Sequence, residues 1–242
     1  MNKQELVVIS GHSDGLGKAL AMSLGKDKVL GISKRRTNEF REICVDLKYY
    51  NYVSESVKYY YGHLDGQKLS LVLCAGSLGN KGGILDSKLS DWEDTIRINL
   101  LGNMAIIKAF LPHMLRVGYG KIIVVAGGGA DRANPIFSGY SLSKVAIVRE
   151  VENIAEEMKD KLDFSIIALA PGAMKTKMLE KVKLAGAEVK TMVEVEETVA
   201  FINKFLDMDI EDAKRFSGRF IHIRDNLSSL DFKNKWMLRR IQ

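Results

Sequence analysis

The chain alternates short apolar runs with longer stretches in which apolar residues recur every three or four positions. The short runs predict β-strands, and the longer stretches predict amphipathic helices. The predicted strands lie near Leu6–Ser10, Lys28–Ile32, Glu42–Val45, Leu69–Cys74, Lys121–Ala126, Phe164–Ala168 and Arg219–Ile223. The predicted helices lie near Leu16–Leu24, Asn51–Tyr61, Asp91–Leu115, Tyr140–Lys159 and Val195–Phe205.

Two of the apolar runs, Leu69–Cys74 and Ile122–Ala126, lack alternation, which is typical of strands covered on both faces by crossover helices. The alternating units predict an α/β fold of the Rossmann type, a doubly wound parallel sheet of about seven strands with helices on both faces. Its ligand crevice should lie at the carboxyl ends of the strands. We expect residues 1–242 to form one domain, with a lid at about 173–193 and a basic amphipathic tail at about 230–242.

Composition narrows the classes of function. The formal charge is +6 and the pI is near 9.1, but the basic residues are spread widely and no nucleic-acid partner is expected. A surface that attracts an anionic cofactor or substrate fits this distribution. No apolar stretch approaches the roughly 18 residues of a membrane span, and the N-terminus does not resemble a secretory signal, so we expect a cytoplasmic protein without membrane contact. Cys44 and Cys74 are expected to be buried, reduced thiols, and no metal site is predicted.

A glycine-rich segment separates the first predicted strand from the first predicted helix. It is Ser10-Gly11-His12-Ser13-Asp14-Gly15-Leu16-Gly17. Strand, glycine turn and helix in this order place a pyrophosphate against backbone N–H groups at a helix N-terminus. Gly11 would permit the tight turn, Gly15 the approach of a phosphate, and Gly17 the packing of helix on strand. The alternative is an ordinary glycine-rich turn.

The end of the second predicted strand bears on the choice between NAD and NADP. An acidic residue there would bond to the ribose 2′-hydroxyl and repel a 2′-phosphate. This chain has Ser33-Lys34-Arg35-Arg36 instead, and cations suit a phosphate dianion. Asp14 in the glycine loop argues mildly against a phosphate, and a solvated basic turn is the alternative. We expect NADP(H) rather than NAD(H), with Lys34 and Arg35 in contact with it.

An acid–base pair is predicted in the middle of the chain, where Tyr140 and Lys144 lie four residues apart. Residues at this spacing share one face of a helix, so the ammonium can lie beside the phenol. A dinucleotide cradle together with such a pair predicts redox chemistry on a carbonyl or an alcohol.

Six short motifs occur in a fixed order along the chain. They are Ser10-Gly11-x3-Gly15-x-Gly17, Asp46-Leu47, Cys74-Ala75-Gly76, Asn99, Tyr140-x3-Lys144 and Pro171-Gly172-x3-Thr176. Together they resemble the motifs of the short-chain dehydrogenase/reductase family, over nearly the whole chain. The resemblance implies an oxidoreductase whose catalytic residues are Tyr140, Lys144 and Asn99. It implies that the cofactor contacts Ser10, Gly11, Ser13, Gly15, Leu16, Gly17, Asp46, Leu47, Ala75, Gly76, Asn99, Tyr140, Lys144, Pro171, Gly172 and Thr176.

The resemblance also implies a mechanism and an assembly. Tyr140 would protonate the carbonyl oxygen, and Lys144 should lower the pKa of the phenol from about 10. Lys144 would hold the nicotinamide ribose, and Asn99 would anchor a water that carries protons to solvent. Members of the family form dimers or tetramers through their long middle helices, so a homodimer or homotetramer is expected. The lid lysines leave open an anionic carbonyl or alcohol substrate.

One departure from the family pattern concerns the substrate. The family has a Ser about thirteen positions before the Tyr, where this chain has Gly127. Loss of one such hydrogen-bond donor typically costs about 2.7–4 kcal/mol in transition-state stabilisation. Backbone N–H groups of the run Gly127–Gly129 could replace it, or a bulkier substrate could bring its own polar groups. In the third alternative catalysis has been lost, and the chain is a dinucleotide-binding regulatory or structural protein.

Overall fold

The computed structural model describes residues 5–64, 66–186, 189, 192–225 and 227. The strands are β1 Leu6–Ser10, β2 Val29–Ser33, β3 Arg41–Cys44, β4 Leu69–Leu73, β5 Tyr119–Val125, β6 Asp163–Ala170, β7 Ala173–Met174, β8 Met192–Val193 and β9 Arg219–His222. Seven of them form one parallel sheet in the order β3-β2-β1-β4-β5-β6-β9, and β7 pairs with β8 separately. The predicted doubly wound parallel sheet is therefore confirmed.

The order of the strands reverses between β1 and β4. The chain runs from β1 outward through β2 to β3, then crosses back to β4, which pairs with β1. At such a switch point the loops that follow the two strands diverge and leave a crevice at the carboxyl edge. Ser10 and Leu73, the last residues of β1 and β4, are register partners, so the loops that carry the predicted motifs start side by side.

The helices largely follow the predicted pattern. They are α1 Gly15–Leu24, α2 Val53–Lys58, α3 Leu89–Ile96, α4 Asn103–Val117, α5 Ser138–Met158, α6 Lys177–Leu184, α7 Val195–Asp207 and α8 Ile210–Lys214. The helix predicted near Asn51–Tyr61 is shorter than expected, because 3₁₀ turns at Leu47–Tyr52 and Tyr61–His63 flank α2. A π-helical turn, Arg97–Gly102, joins α3 to α4.

Two apolar layers hold the helices against the sheet. Every residue of β1, β2 and β4 is buried, as predicted for strands covered on both faces. Phe110 is fully buried in the layer that α2, α4 and α5 share with the sheet. Phe205 is fully buried on the opposite face, with α1, α7 and α8. Each such side chain contributes about 1.5–3 kcal/mol to folding through burial, so the sheet is a rigid support for the loops at its edge.

The continuous helical stretch Leu89–Val117 has the length and composition of a membrane span, with a mean hydropathy of 1.3 in its most apolar window. The sequence expectation that no such stretch exists was therefore wrong. Half of that window is buried inside the fold, where Ile106 and Met114 pack in the core. A core helix passes the same test of length and composition, so the stretch is weak evidence for a membrane span.

The segment predicted to be a lid contains β7, α6 and β8. Residues 187, 188, 190 and 191 of it lie outside the described residues, as does the whole of the predicted tail at 230–242. The two cysteines are free. Cys44 is exposed, contrary to the expectation of a buried thiol, because it ends the edge strand β3.

Candidate active site

The glycine loop lies between β1 and α1 and is shaped by close backbone contacts. Gly11 and Gly15 have φ angles of 75° and 53°, which residues other than glycine rarely adopt. A Cβ on Gly17 would overlap the Gly11 carbonyl, so α1 approaches the strand more closely than any larger residue allows. The Asp14 carboxylate accepts a hydrogen bond of 2.8 Å from the Gly15 N–H and caps α1. The loop thus presents the amino end of a helix at the crevice.

Buried polar side chains connect this loop to the loop after β4. The Ser10 hydroxyl accepts from the Ala75 N–H at 3.1 Å and donates to Asn103 Oδ1 at 3.2 Å. Asn103 Nδ2 donates to the Ala75 carbonyl at 3.1 Å and to the Asn99 carbonyl at 2.8 Å. Ser10, Asn99 and Asn103 are fully buried, so the bonds among these three residues are shielded from water, whereas the two bonds to the half-buried Ala75 are partly shielded.

Asn99 lies within the π-helical turn, an irregularity that is frequent at functional sites. Its Oδ1 accepts from the Ser77 N–H at 2.6 Å, and its Nδ2 donates to the Ser77 carbonyl and the Ser143 hydroxyl, both at 2.9 Å. The amide therefore joins the loop after β4 to helix α5. Gly102, the last residue of the same turn, lies against Leu47, and a Cβ placed on Gly102 would come within 2.6 Å of the Leu47 Cβ.

Tyr140 and Lys144 lie on α5, beside the ends of β4 and β5. Lys144 Nζ is 5.5 Å from the centroid of the Tyr140 ring and donates to the Val125 carbonyl at 2.7 Å. A Cβ placed on Gly76 would lie 3.4 Å from Asn99 Oδ1 and 3.6 Å from Lys144 Nζ. A Cβ on Gly127 would lie 3.3 Å from the Tyr140 hydroxyl. The fold thus brings together residues that the sequence separates by more than sixty positions.

The titration behaviour of the pair differs from the sequence expectation. Burial raises the pKa of Tyr140 to about 12 and lowers the pKa of Lys144 to about 8. Burial also raises the pKa of the neighbouring Cys74 thiol to about 12. We expected Lys144 to lower the pKa of the phenol. Among the protein's own groups, desolvation of the phenol sets the direction of the Tyr140 pKa shift. The Lys144 ammonium does not counter it, because it donates its hydrogen bond to the Val125 carbonyl.

The buried ammonium of Lys144 leads to a prediction about stability. The pKa of Lys144 is about 8 against an ordinary 10.5, so burying the charged form costs about 3 kcal/mol of folding free energy. The hydrogen bond to the Val125 carbonyl offsets about 1 kcal/mol of this cost. Lys144→Met is therefore expected to raise the unfolding free energy at pH 7 by about 2 kcal/mol. Urea denaturation of both proteins measures this difference.

The difference should depend on pH in a defined direction. Because the folded pKa of Lys144 lies below the unfolded one, the unfolded chain keeps the proton between pH 8 and 10.5 and the wild type gains stability as pH rises. The advantage of Lys144→Met should shrink by roughly half or more between pH 7 and pH 9.5. Lys108→Met, at an exposed lysine of α4, is the control. A pH-independent difference would contradict the burial argument.

The carboxyl end of β6 leads into the predicted lid above the glycine loop. Gly172 has a φ of 75°, and the Thr198 hydroxyl donates to the Pro171 carbonyl at 3.3 Å. A Cβ on Gly15 would lie 3.7 Å from the Thr176 methyl group. Lys177 Nζ lies 3.3 Å from Asp14 Oδ2. The predicted lid segment therefore lies against the glycine loop at Thr176 and is joined to it by the exposed ion pair between Lys177 and Asp14.

The basic turn after β2 (Lys34–Arg36) holds its three side chains exposed. Its backbone is fixed from within, because the Ser33 hydroxyl donates to the Arg35 carbonyl at 2.5 Å. The bond from the Gly15 N–H, with smaller contributions from Lys177 and Arg35, lowers the pKa of Asp14. Asp14 is therefore an ionised carboxylate at neutral pH and shares the charge environment of Arg35.

Asp46 and Leu47 follow β3 as predicted. The Asp46 carboxylate accepts from the Lys48 N–H at 3.0 Å and caps a 3₁₀ turn that Leu47 begins. Ser13 and Leu16 belong to the glycine loop and the first turn of α1, where Leu16 is buried and Ser13 is half-buried. Among the described residues, no group of three or more His, Cys, Asp and Glu side chains is arranged to hold a metal ion.

Sequence reasoning did not identify several residues of this site. Asn103 and Ser143 were missed, although a buried amide one helical turn after Asn99 in an apolar helix is a signal that the sequence contains. Ser77 bonds to Asn99 mainly through its backbone, so its residue type carries little signal. His12 and Glu42 were missed because only the folded sheet brings them together.

Comparison with known proteins agrees with this architecture. The family model described as short chain dehydrogenase matches residues 5–187, and the chain belongs to the short-chain dehydrogenase/reductase family. A 3-oxoacyl-[acyl-carrier-protein] reductase of Buchnera aphidicola is 26% identical over 192 residues, which cover 74% of this chain and 77% of that protein. An uncharacterised oxidoreductase of Staphylococcus epidermidis is 25% identical over 194 residues, 74% of this chain and 81% of that protein.

Solved structures show the same fold. The structure of ElxO with NADP bound superposes with a TM-score of 0.77 at 23% identity, over 91% of this chain and 97% of that one. The NADPH-bound carbonyl reductase from chicken fatty liver superposes with a TM-score of 0.75 at 18% identity, over 90% and 96% of the two chains. The chain therefore has the fold of this family, and its sequence relatives are named as oxidoreductases and reductases.

Proposed function

We propose that this chain is an NADP-dependent oxidoreductase that reduces a carbonyl compound, or oxidises the matching alcohol, with Tyr140 as the acid or base. The proposal rests on one cluster of side chains: Asn99 and Lys144 border Gly76 in the loop after β4, and Tyr140 lies beside Lys144 and Gly127. A dinucleotide cradle and a proton donor within one crevice are the two components of hydride chemistry on a carbonyl.

The residues present fit a phosphorylated dinucleotide. The amino end of α1, with Gly11 and Gly15 in backbone conformations reserved for glycine, fits a pyrophosphate. The exposed cations Lys34 and Arg35 fit a 2′-phosphate. When bound, the cofactor supplies the hydride. On the adenine side we assign contacts to Asp46 and Leu47, and on the nicotinamide side to Pro171, Gly172 and Thr176.

The chain's own groups handle the proton. Burial raises the pKa of Tyr140 to about 12, so the phenol is protonated at neutral pH and can donate to a developing alkoxide. Lys144 would orient the nicotinamide ribose, and Asn99 would hold the loop after β4 and the water that returns a proton.

Gly127 supports a second candidate, a family member that binds dinucleotide for regulation or structure without turnover. The Gly127 position faces the Tyr140 hydroxyl and carries no side-chain donor. Its φ of 114° strains any side chain introduced there. A catalytic site would therefore need backbone N–H groups of the glycine run, or polar groups on the substrate, to hold the carbonyl oxygen.

One experiment separates the two candidates. NADPH fluorescence on addition of the purified chain measures binding, and NADPH absorbance then follows oxidation across a panel of neutral and anionic aldehydes and ketones. Turnover of any carbonyl supports the enzyme, and a preference for anionic members would assign the lid lysines to the substrate. Tight binding without turnover across the panel would support the regulatory candidate.

We also propose that the chain assembles as a homodimer or homotetramer through its long middle helices. Leu142 and Val145 on α5 are exposed by 49% and 38%, and exposed apolar residues on a long helix are typical of association surfaces. Light scattering on the purified chain tests the assembly.

A further inference from the structure

A buried histidine inside the glycine loop has no hydrogen bond of its own. His12 is 1% exposed, and neither of its ring nitrogens has a hydrogen-bond partner. The imidazole lies over β2 at Gly31, where a Cβ would come within 2.5 Å of Nδ1, and it meets the Phe40 ring edge-on at 6.0 Å. Native proteins rarely leave buried polar groups unsatisfied, so this ring needs a compensating partner.

The partner is a buried carboxylate on the neighbouring strand. Glu42 on β3 is the register partner of Gly31, and its Oε1 lies 3.4 Å from His12 Nε2. The Glu42 side chain is 7% exposed. Burial alone would raise the pKa of Glu42, but hydrogen bonds from Thr37 and the contact with His12 outweigh it and lower that pKa. The carboxylate is therefore ionised, and it lies against the imidazole in the interior.

Glu42 also holds the end of the basic turn. The Thr37 N–H donates to both carboxylate oxygens at 3.0 Å, and the Thr37 hydroxyl donates to Oε1. Thr37 directly follows Lys34–Arg36, whose other anchors are the Ser33 hydroxyl and the Cys44 thiol, which donates to the Lys34 carbonyl at 3.6 Å. One carboxylate thus joins the glycine loop, through His12, to the basic turn, through Thr37.

We propose that Glu42, packed against His12 and bonded to Thr37, is a positioning residue that sets the preference for a 2′-phosphorylated dinucleotide. The inference rests on the proposed function. A pyrophosphate at α1 and a 2′-phosphate are separated by a ribose of fixed size, so the cations can bind only if the turn is held at the matching distance. A dinucleotide without the 2′-phosphate forms no charge-assisted bond to the cations of the turn, so its affinity should depend much less on where the turn is held.

The arrangement also explains how a carboxylate is tolerated here. An exposed acidic group beside the basic turn would repel a phosphate. The lone pairs of Glu42 are occupied by Thr37, and its charge faces His12 in the interior. The carboxylate therefore fixes the turn while its charge is directed away from solvent.

Glu42→Ala tests the proposal. Dissociation constants for NADPH and NADH are measured by fluorescence on wild type and variant. The NADPH preference is expected to fall about tenfold, equivalent to about 1.4 kcal/mol, with the NADH constant unchanged. The control is Glu39→Ala, which removes a carboxylate of the same segment that is 41% exposed and pairs with Lys18 at 3.9 Å. It should leave the preference unchanged.

Two further variants keep the test decisive if Glu42→Ala does not fold. Glu42→Gln keeps an acceptor for Thr37 and should retain most of the preference. Thr37→Val removes only the hydroxyl and keeps the two bonds from the Thr37 N–H, so it should lower the preference by about threefold, less than Glu42→Ala. A rise in NADPH affinity in Glu42→Gln would show a purely electrostatic role and overturn the proposal.

The outcomes also separate this inference from the proposed function. A wild type that binds neither dinucleotide would remove the basis of both. A wild type that prefers NADPH, with Glu42→Ala and Thr37→Val keeping that preference, would overturn the inference alone. An equal loss for NADPH and NADH would likewise overturn it, because a merely structural role would weaken both cofactors together.

Discussion

Tyr140→Phe is expected to lower the rate of NADPH-dependent carbonyl reduction by about 10²–10⁴-fold, the range typical of a positioned acid–base group. The phenol is the protonated group that the structure places against Gly127, and phenylalanine keeps its shape without the proton. Steady-state kinetics on any carbonyl that the wild type reduces measure the effect. The loss should appear in kcat, because the hydroxyl acts in the transition state.

Two controls make this result specific to the hydroxyl. NADPH affinity should change by no more than about tenfold, since one neutral hydrogen bond at most is lost. Tyr59→Phe, at a tyrosine that is 89% exposed, should leave the rate unchanged. If Tyr140→Phe reduces carbonyls as fast as the wild type, the proton comes from another group and the assignment of Tyr140 is wrong.

The sheet could be predicted from the sequence because each of its strands is a short, mostly apolar run that is recognisable without knowledge of distant contacts. β1 and β4 are apolar except for Ser10 and Ser70, and their burial on both faces follows from that composition. The glycine loop was equally readable, because it immediately follows β1 and precedes α1. Tyr140 and Lys144 were found because residues one helical turn apart share a face without any tertiary information.

What the sequence did not predict depends on distant contacts. The bond between Ser10 and Asn103 joins residues 93 positions apart, and no periodicity indicates it. His12 and Glu42 meet only because β2 and β3 pair in one register and Gly31 leaves room for the ring. The pKa of Tyr140 moved opposite to the expectation, since burial, which is a property of the whole fold, outweighed the nearby charge.

Asn103→Leu is expected to lower the unfolding free energy by about 2–4 kcal/mol, the second large effect. Leucine has a similar size but leaves the Ala75 and Asn99 carbonyls without their donor. The Ser10 hydroxyl loses its acceptor at the same time. Each buried group left unpaired costs about 1–3 kcal/mol, and the gain from burying an apolar side chain offsets part of the sum. Urea denaturation measures the difference.

The same substitution should also weaken NADPH binding. Ser10 and Ala75 stand on the two loops that border the crevice, and Asn103 fixes both to the turn that carries Asn99. Asn153→Leu, at an exposed amide of α5, is the matched control and should change stability by less than about 0.5 kcal/mol. Asn103→Asp keeps the acceptor for Ser10 but loses both donated bonds, so its stability should fall with that of Asn103→Leu. If the aspartate variant were as stable as the wild type, the two carbonyls would not need Asn103, and the buried network would not be what holds the loops together.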